Sequence, residues 1–201
     1  RGVCNKTLQK FSNAVDDFNE AISLNPKYAE AYYNLGVILH EMGESASAVK
    51  AYKGALSLNN NYPKAHNNLG QLFLVNGDFY SSIDHLEWAV ALKPDFAEAH
   101  NNLGSALIGV DKTRDAIISY KKAAVLKPDF ATTFNNLGIA YQRLGMIELA
   151  LENYQIAIDI LPGFAQAHHN LSGVKNYSEN DSQINQMKSM LSNNELSSQD
   201  R

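Results

Sequence analysis

One tripeptide returns through this chain at a fixed step. Asn34-Leu35-Gly36, Asn68-Leu69-Gly70, Asn102-Leu103-Gly104 and Asn136-Leu137-Gly138 are spaced 34 residues apart, and Asn170-Leu171-Ser172 continues the series. No insertion or deletion interrupts the step. A period between about 20 and 50 residues marks an array of stacked units, each too small to bury its apolar face alone and each covered by its neighbours.

Other columns keep the same register. Prolines stand at Pro26, Pro94, Pro128 and Pro162, with Asn60 taking the place once. Small residues form two rows, Ala14, Ala48, Ser82, Ala116, Ala150 and Ala21, Ala55, Ala89, Ala123, Ala157, and large ones a third, Phe18, Tyr52, Leu86, Tyr120, Tyr154. Within one unit the pattern predicts two helices, for example Ala97 to about Val110 and about Arg114 to Leu126. The second carries Ala116, Ile117, Tyr120, Ala123 and Ala124 at the spacing of an amphipathic helix. Gly43, Gly77 and Gly145 fall between the two helices, where a left-handed residue ends the first one; Asp111 holds that place once and can adopt the same conformation. Lys-Pro-Asp at 93–95 and 127–129 stops the second helix. The glycine of the tripeptide lies inside a helix, at a cost of about 1 kcal/mol relative to alanine, so its recurrence implies that a partner helix must come close there.

These columns resemble those of the tetratricopeptide repeat, a 34-residue helix-turn-helix unit. The resemblance covers residues 1 to about 177 and implies an all-α, right-handed α-solenoid that acts as a protein-interaction scaffold, with the first helix of each repeat lining a concave groove. His66, His100 and His168 depart from it, standing where the family usually has a large aromatic, and Ser82 and Ser172 replace Ala and Gly; these changes are expected to weaken packing locally. In this register residues 1–28 are a partial first repeat, with Phe11 to Leu24 as its second helix; residues 29–164 are four complete repeats; residues 165–177 are the first helix of a fifth; and residues 178–201 are a divergent helical tail. In the tail, Ile184, Met187, Met190 and Leu191 share one helical face. The ends suggest a piece of a longer chain. The tail is similar to the spacer that joins repeats to sulfotransferase-like domains.

Asn34, Asn68, Asn102, Asn136 and Asn170 fall at one angular position per repeat and are expected to form a ladder on the first helices. A carboxamide offers two donors and an acceptor, which suits the alternating C=O and N–H of an extended peptide. The row is similar to the asparagine ladder in the superhelical repeats of O-linked N-acetylglucosamine transferase, which implies main-chain recognition here. Beside it lie Tyr33, Asn67, Asn101, Asn135 and His169, and specificity is expected from the variable Glu30, Lys64, Glu98, Thr132 and Gln166. Their mixed charge predicts no preference for a purely acidic or basic ligand. With Lys64 as the sole cation among those five, a clamp for chaperone C-terminal carboxylates is not expected. The competing reading has the asparagines bonding within the helix pairs.

Charge and composition exclude other classes. Seventeen Lys+Arg against 21 Asp+Glu give a net charge of −4 with no basic run, which disfavours nucleic acid as a partner. The lone Cys4 permits no internal disulfide. No apolar stretch approaches the roughly 20 residues of a membrane span, and the first residues are not a signal peptide, so a cytoplasmic protein without membrane contact is expected. His66, His100 and His168 recur one per repeat, on helices about 8–10 Å apart, too far to share a zinc ion; His40 and His85 are assigned no chemistry. There is no phosphate loop, no nucleophile elbow and no base beside Cys4, so no cofactor, metal or catalytic residue is expected and the chain is read as a binder, not an enzyme. Trp88 and Ile156 share a column on the second helices and are expected near the outer surface. Two further readings remain: the substrate-recruiting arm of a larger transferase, and a scaffold that self-assembles through its exposed ends.

Overall fold

The computed structural model describes residues 2–174, with side chains from residue 10 onward. Among them are ten helices and no strand: α1 (Gly2–Leu24), α2 (Ala29–Glu41), α3 (Ser45–Leu58), α4 (Pro63–Val75), α5 (Phe79–Leu92), α6 (Ala97–Gly109), α7 (Thr113–Leu126), α8 (Ala131–Arg143), α9 (Ile147–Ile160) and α10 (Ala165–Ser172). The chain divides into two compact units at Asn102 and Leu103, within α6. The predicted bounds of the two helices in the repeat at 97–126 hold to within one residue.

Each hairpin turns on one left-handed residue. Gly43, Gly77 and Gly145 have φ of 79°, 77° and 72°, and Asp111 takes the same conformation at 59°. The following N–H reaches back to the helix: Glu44 N donates to Leu39 O at 2.8 Å, and Asp78 to Phe73, Lys112 to Leu107 and Met146 to Tyr141 each at 3.0 Å. This six-residue closure satisfies carbonyls that a helix end would otherwise orphan.

The glycine column does what its recurrence implied. A Cβ placed on Gly36 would lie 2.6 Å from the Tyr52 ring, on Gly70 2.7 Å from Leu86, and on Gly104 2.6 Å from Tyr120. Tyr52, Leu86 and Tyr154 have no exposure, nor do the facing Ala48, Ala55, Ala116, Ala123, Ala150 and Ala157. Each such large side chain contributes roughly 1.5–3 kcal/mol by leaving water, which outweighs the helical cost of the glycine. Ser82 stands where the column otherwise has alanine. It is fully buried, and its hydroxyl donates to Gly70 O at 2.8 Å, so the added polar atom is paired.

One expectation fails. No turn precedes Phe11, and α1 runs unbroken from Gly2 to Leu24. The residue in register with Gly43 is Gln9. Gln is a good helix former and disfavours positive φ, so nothing ends the helix there. The expected tail elements, including Tyr177, the 184–191 face and residues 196–201, lie outside the described residues.

Candidate functional site

The asparagines of the tripeptide all lie on first helices and are all half-buried: Asn34, Asn68 and Asn102 in the first unit, Asn136 and Asn170 in the second. The amides of Asn68, Asn102 and Asn170 are held by bonds that run between repeats. Asn102 Nδ2 donates to Asn67 Oδ1 at 3.0 Å, and Asn67 Nδ2 donates to Asn68 Oδ1 at 3.2 Å. Asn68 Nδ2 in turn donates to the Tyr52 hydroxyl at 3.2 Å. In the second unit Asn170 Nδ2 donates to Asn135 Oδ1 at 2.8 Å, and Asn170 Oδ1 accepts from Gln166 Nε2 at 3.0 Å. The step of 35 residues means that Asn102 and Asn170 each reach the preceding repeat one position before their own counterpart, whereas Asn68 reaches Tyr52.

The flanking residues separate into two depths. Asn67, Asn101 and Asn135 are 6%, 6% and 3% exposed and form the backing of the row. Glu30, Lys64, Thr132, Gln166 and His169 are exposed, and Tyr33 and Glu98 half-buried. Where the other repeats place an asparagine or histidine, Tyr33 opens an aromatic patch. Its ring lies 4.7 Å from Tyr62 and 5.9 Å from Tyr52, centroid to centroid, within the range of favourable ring pairs. Burial raises the Tyr33 hydroxyl above its ordinary pKa, and pushes Tyr52, Tyr120 and Tyr154 up to about 12, so these phenols stay neutral hydrogen-bonding groups. In the second unit Asn136 lines a cleft of about 190 Å³ with Ser105, Ile108, Tyr120 and Ile139.

The histidine column serves packing. His66, His100 and His168 each place Nε2 at 2.9–3.0 Å from the carbonyl six residues earlier, of Asn60, Pro94 and Pro162 respectively, tying each first helix to the loop before it. Among the described residues no group of three potential ligands could hold a metal. His85, to which the sequence assigned no chemistry, is part of the same device. Its Nδ1 lies 3.0 Å from His66 Nδ1. Because a carbonyl can only accept, His66 Nε2 carries its proton, and in the neutral pair His85 Nδ1–H donates to His66 Nδ1. His66 also stacks on Trp88, which is 49% exposed as its column predicted; Ile156, in the same column, is half-buried. The offset of 19 residues joins a first-helix position to a second-helix position of the same repeat.

Helical hairpins at a strict period, closed by left-handed turns and packed through a glycine–tyrosine column, define an α-solenoid of short repeats. The profile described as TPR repeat matches residues 7–43, 38–77 and 112–145, together more than half of the chain. The chain belongs to the tetratricopeptide repeat family. Solved structures with the same fold include MamA from Desulfovibrio magneticus RS-1, at 23% identity and a TM-score of 0.71 over 82% of this chain and 94% of that one. YrrB, described as a TPR protein with an unusual peptide-binding site, shows 22% identity and a TM-score of 0.69 over 87% of this chain and 91% of that one. Cut9, from the APC/C hetero-tetramer Cut9-Hcn1, shows 22% identity and a TM-score of 0.73, covering 96% of this chain and 39% of its own. No curated protein matches the sequence. No helix among the described residues is long and apolar enough to cross a membrane.

Proposed function

We propose that this chain is a protein-interaction scaffold that holds an extended peptide along the first-helix asparagines of each unit, Asn34, Asn68 and Asn102 in the first and Asn136 and Asn170 in the second. The observation that carries this reading is the bonding between repeats. Asn102 and Asn170 each spend one amide N–H on the preceding repeat, which fixes the plane of the carboxamide, while a primary amide has a second N–H to offer outward. A donor fixed before binding loses less rotamer entropy on capture than a mobile one, by about 0.5–1.5 kcal/mol per side chain. The competing reading, in which these bonds serve only packing, explains the inward N–H but leaves without a role the half-exposure that each asparagine keeps. Side-chain selection falls to Glu30, Lys64, Glu98, Thr132 and Gln166, with the Tyr33–Tyr62 patch as the apolar contact in the first unit. No bond is made or broken in this function. YrrB, with its described peptide-binding site, supports it by analogy of fold.

The test uses a displayed random-peptide library selected on the wild-type chain. Asn68→Ala, Asn102→Ala and Asn136→Ala combined are expected to weaken the best selected peptide by at least tenfold while helicity, read by circular dichroism, is retained. Unchanged affinity in a folded variant would remove the row from peptide capture.

A further inference from the structure

A second surface lies on the α7, α8 and α9 side of the second unit, and the first unit shows what would fill it. In α4, His66 and Phe73 stand two helical turns apart, a separation of about 10 Å along the axis. The His85 ring from α5 lies between them, its centroid 5.3 Å from His66 and 5.6 Å from Phe73, with only 9° between the His85 and Phe73 planes. The Nδ1 to Nδ1 bond locks it there. This side of the first hairpin pair is plugged by its own ring.

Two repeats later the corresponding residues are Phe134, Tyr141 and Asn153. Phe134 and Tyr141 keep the two-turn spacing on α8, but Asn153 has no ring to place between them. Its Nδ2 turns back to donate to Leu149 O in its own helix at 2.8 Å. A cavity of about 460 Å³ results, lined by Phe134, Leu137 and Tyr141 on α8, by Val125 on α7 and by Leu149 and Ile156 on α9. Val125 is 76% exposed and Leu149 40%, so the cavity opens at an apolar lip. Lys121 lies over the Tyr141 ring at 5.9 Å, as Lys53 lies over Phe73 at 5.6 Å; a lysine cover is therefore compatible with a ring on the other side.

We infer that this groove is a docking site for an aromatic side chain presented by a partner protein, seated between Phe134 and Tyr141 as His85 is seated between His66 and Phe73. The Phe134 and Tyr141 positions stand about 10 Å apart along the α8 axis, the same spacing that seats His85 at 5.3 and 5.6 Å from its two neighbours, inside the 4.5–7 Å range of favourable aromatic pairs. An aliphatic side chain fills volume but gains no such pairing. The site shares no residue with the asparagine row and does not depend on it.

The probe is N-acetyl-tryptophanamide, titrated into the ¹⁵N-labelled chain and followed by amide shifts. Saturable shifts are expected in α7, α8 and α9, with N-acetyl-leucinamide at least fivefold weaker. Phe134→His combined with Asn153→His rebuilds the first unit's plug and is expected to weaken the probe at least tenfold. Should that pair unfold, Ile156→Glu, which charges the lip and leaves the α8 rings in place, is expected to do the same. Equal binding of the leucine probe, or shifts that neither variant removes, overturns the inference. So does self-association that occupies the groove and is abolished by Trp88→Ala, because the occupant is then a second copy of this chain.

Discussion

Residues 66–88 and 134–156 are the same stretch of two repeats, and they differ in an ordered way. Both keep the tripeptide leucine buried, at Leu69 and Leu137; both pack a large second-helix residue against the glycine, Leu86 on Gly70 and Tyr154 on Gly138; and both keep Ala89 or Ala157 fully buried. They part at His66 against Phe134, Phe73 against Tyr141, His85 against Asn153 and Trp88 against Ile156. The first set forms a hydrogen-bonded, stacked plug; the second leaves an apolar groove. One column system therefore carries the hairpin, and an interleaved set of positions is free to close a surface or open it without altering the fold.

The largest effects should fall on what the two regions share. Tyr154→Ala empties a fully buried site and is expected to cost about 3–5 kcal/mol, and Leu86→Ala about 2–5 kcal/mol. For a chain of this size either change lowers the melting temperature on the order of 10 °C. Native-state hydrogen exchange would locate the loss in α8–α9 or in α4–α5. A severe loss at one and a negligible loss at the other would show that the two columns are not equivalent.

A smaller effect should appear only in the first region, through pH. Burial lowers the pKa of His66, against a weaker raising influence of the Asn60 carbonyl. Burial also lowers His85, assisted by His66 and Lys53 and opposed by Asp84. A folded pKa below the unfolded value of about 6.5 means that the unfolded chain binds more protons between the two values. The stability of this region is thus complete above about pH 6.5 and declines as pH falls through the folded pKa values. A second proton on the pair would also set two N–H groups against each other across 3.0 Å. Hydrogen-exchange protection of α4 and α5 is expected to fall between neutral pH and pH 5 more than that of α8 and α9. His66→Phe with His85→Asn, the residues of the later repeat, should abolish the difference. Equal pH slopes in both regions would remove the histidine pair as their cause.

The repeat made most of the fold legible, because each structural device recurs at a known offset. The glycine column announced the close approach of Tyr52 and its counterparts, and Asp111 was readable as a left-handed residue from its place in the Gly43 column. The helix expected to start at Phe11 instead begins at Gly2, because Gln9 occupies the turn column and a residue that favours helix leaves no turn. The asparagine row was legible as a row, but not its wiring, since a bond from Asn102 to Asn67 joins residues 35 apart and belongs to no single unit. The His66–His85 pair was obscured for a related reason. A lone residue in a column otherwise filled by Ala51, Ser119 and Asn153 carries no periodic signal; only the partner that faces it gives it meaning.

The smallest effect concerns the hairpin turns, where the comparison is sharpest because three turns carry glycine and one does not. Asp111 is held at φ 59° with its side chain 97% exposed. A non-glycine residue pays roughly 1–2 kcal/mol for that conformation, and glycine avoids it at the expense of about 0.5–1 kcal/mol of backbone entropy. Asp111→Gly should therefore be stabilising by about 0.5 kcal/mol, or 1–2 °C in melting temperature. The Arg143 guanidinium complicates this, since its Nη1 lies 3.9 Å from Asp111 Oδ1 and 3.4 Å from Ile108 O. An exposed pair of that length is weak and screened by salt. The gain from Asp111→Gly should accordingly grow when the measurement is repeated in about 1 M salt, at a Debye length of about 3 Å. A variant less stable than wild type at both salt concentrations would mean that the aspartate supports the turn beyond its backbone conformation and its ion pair.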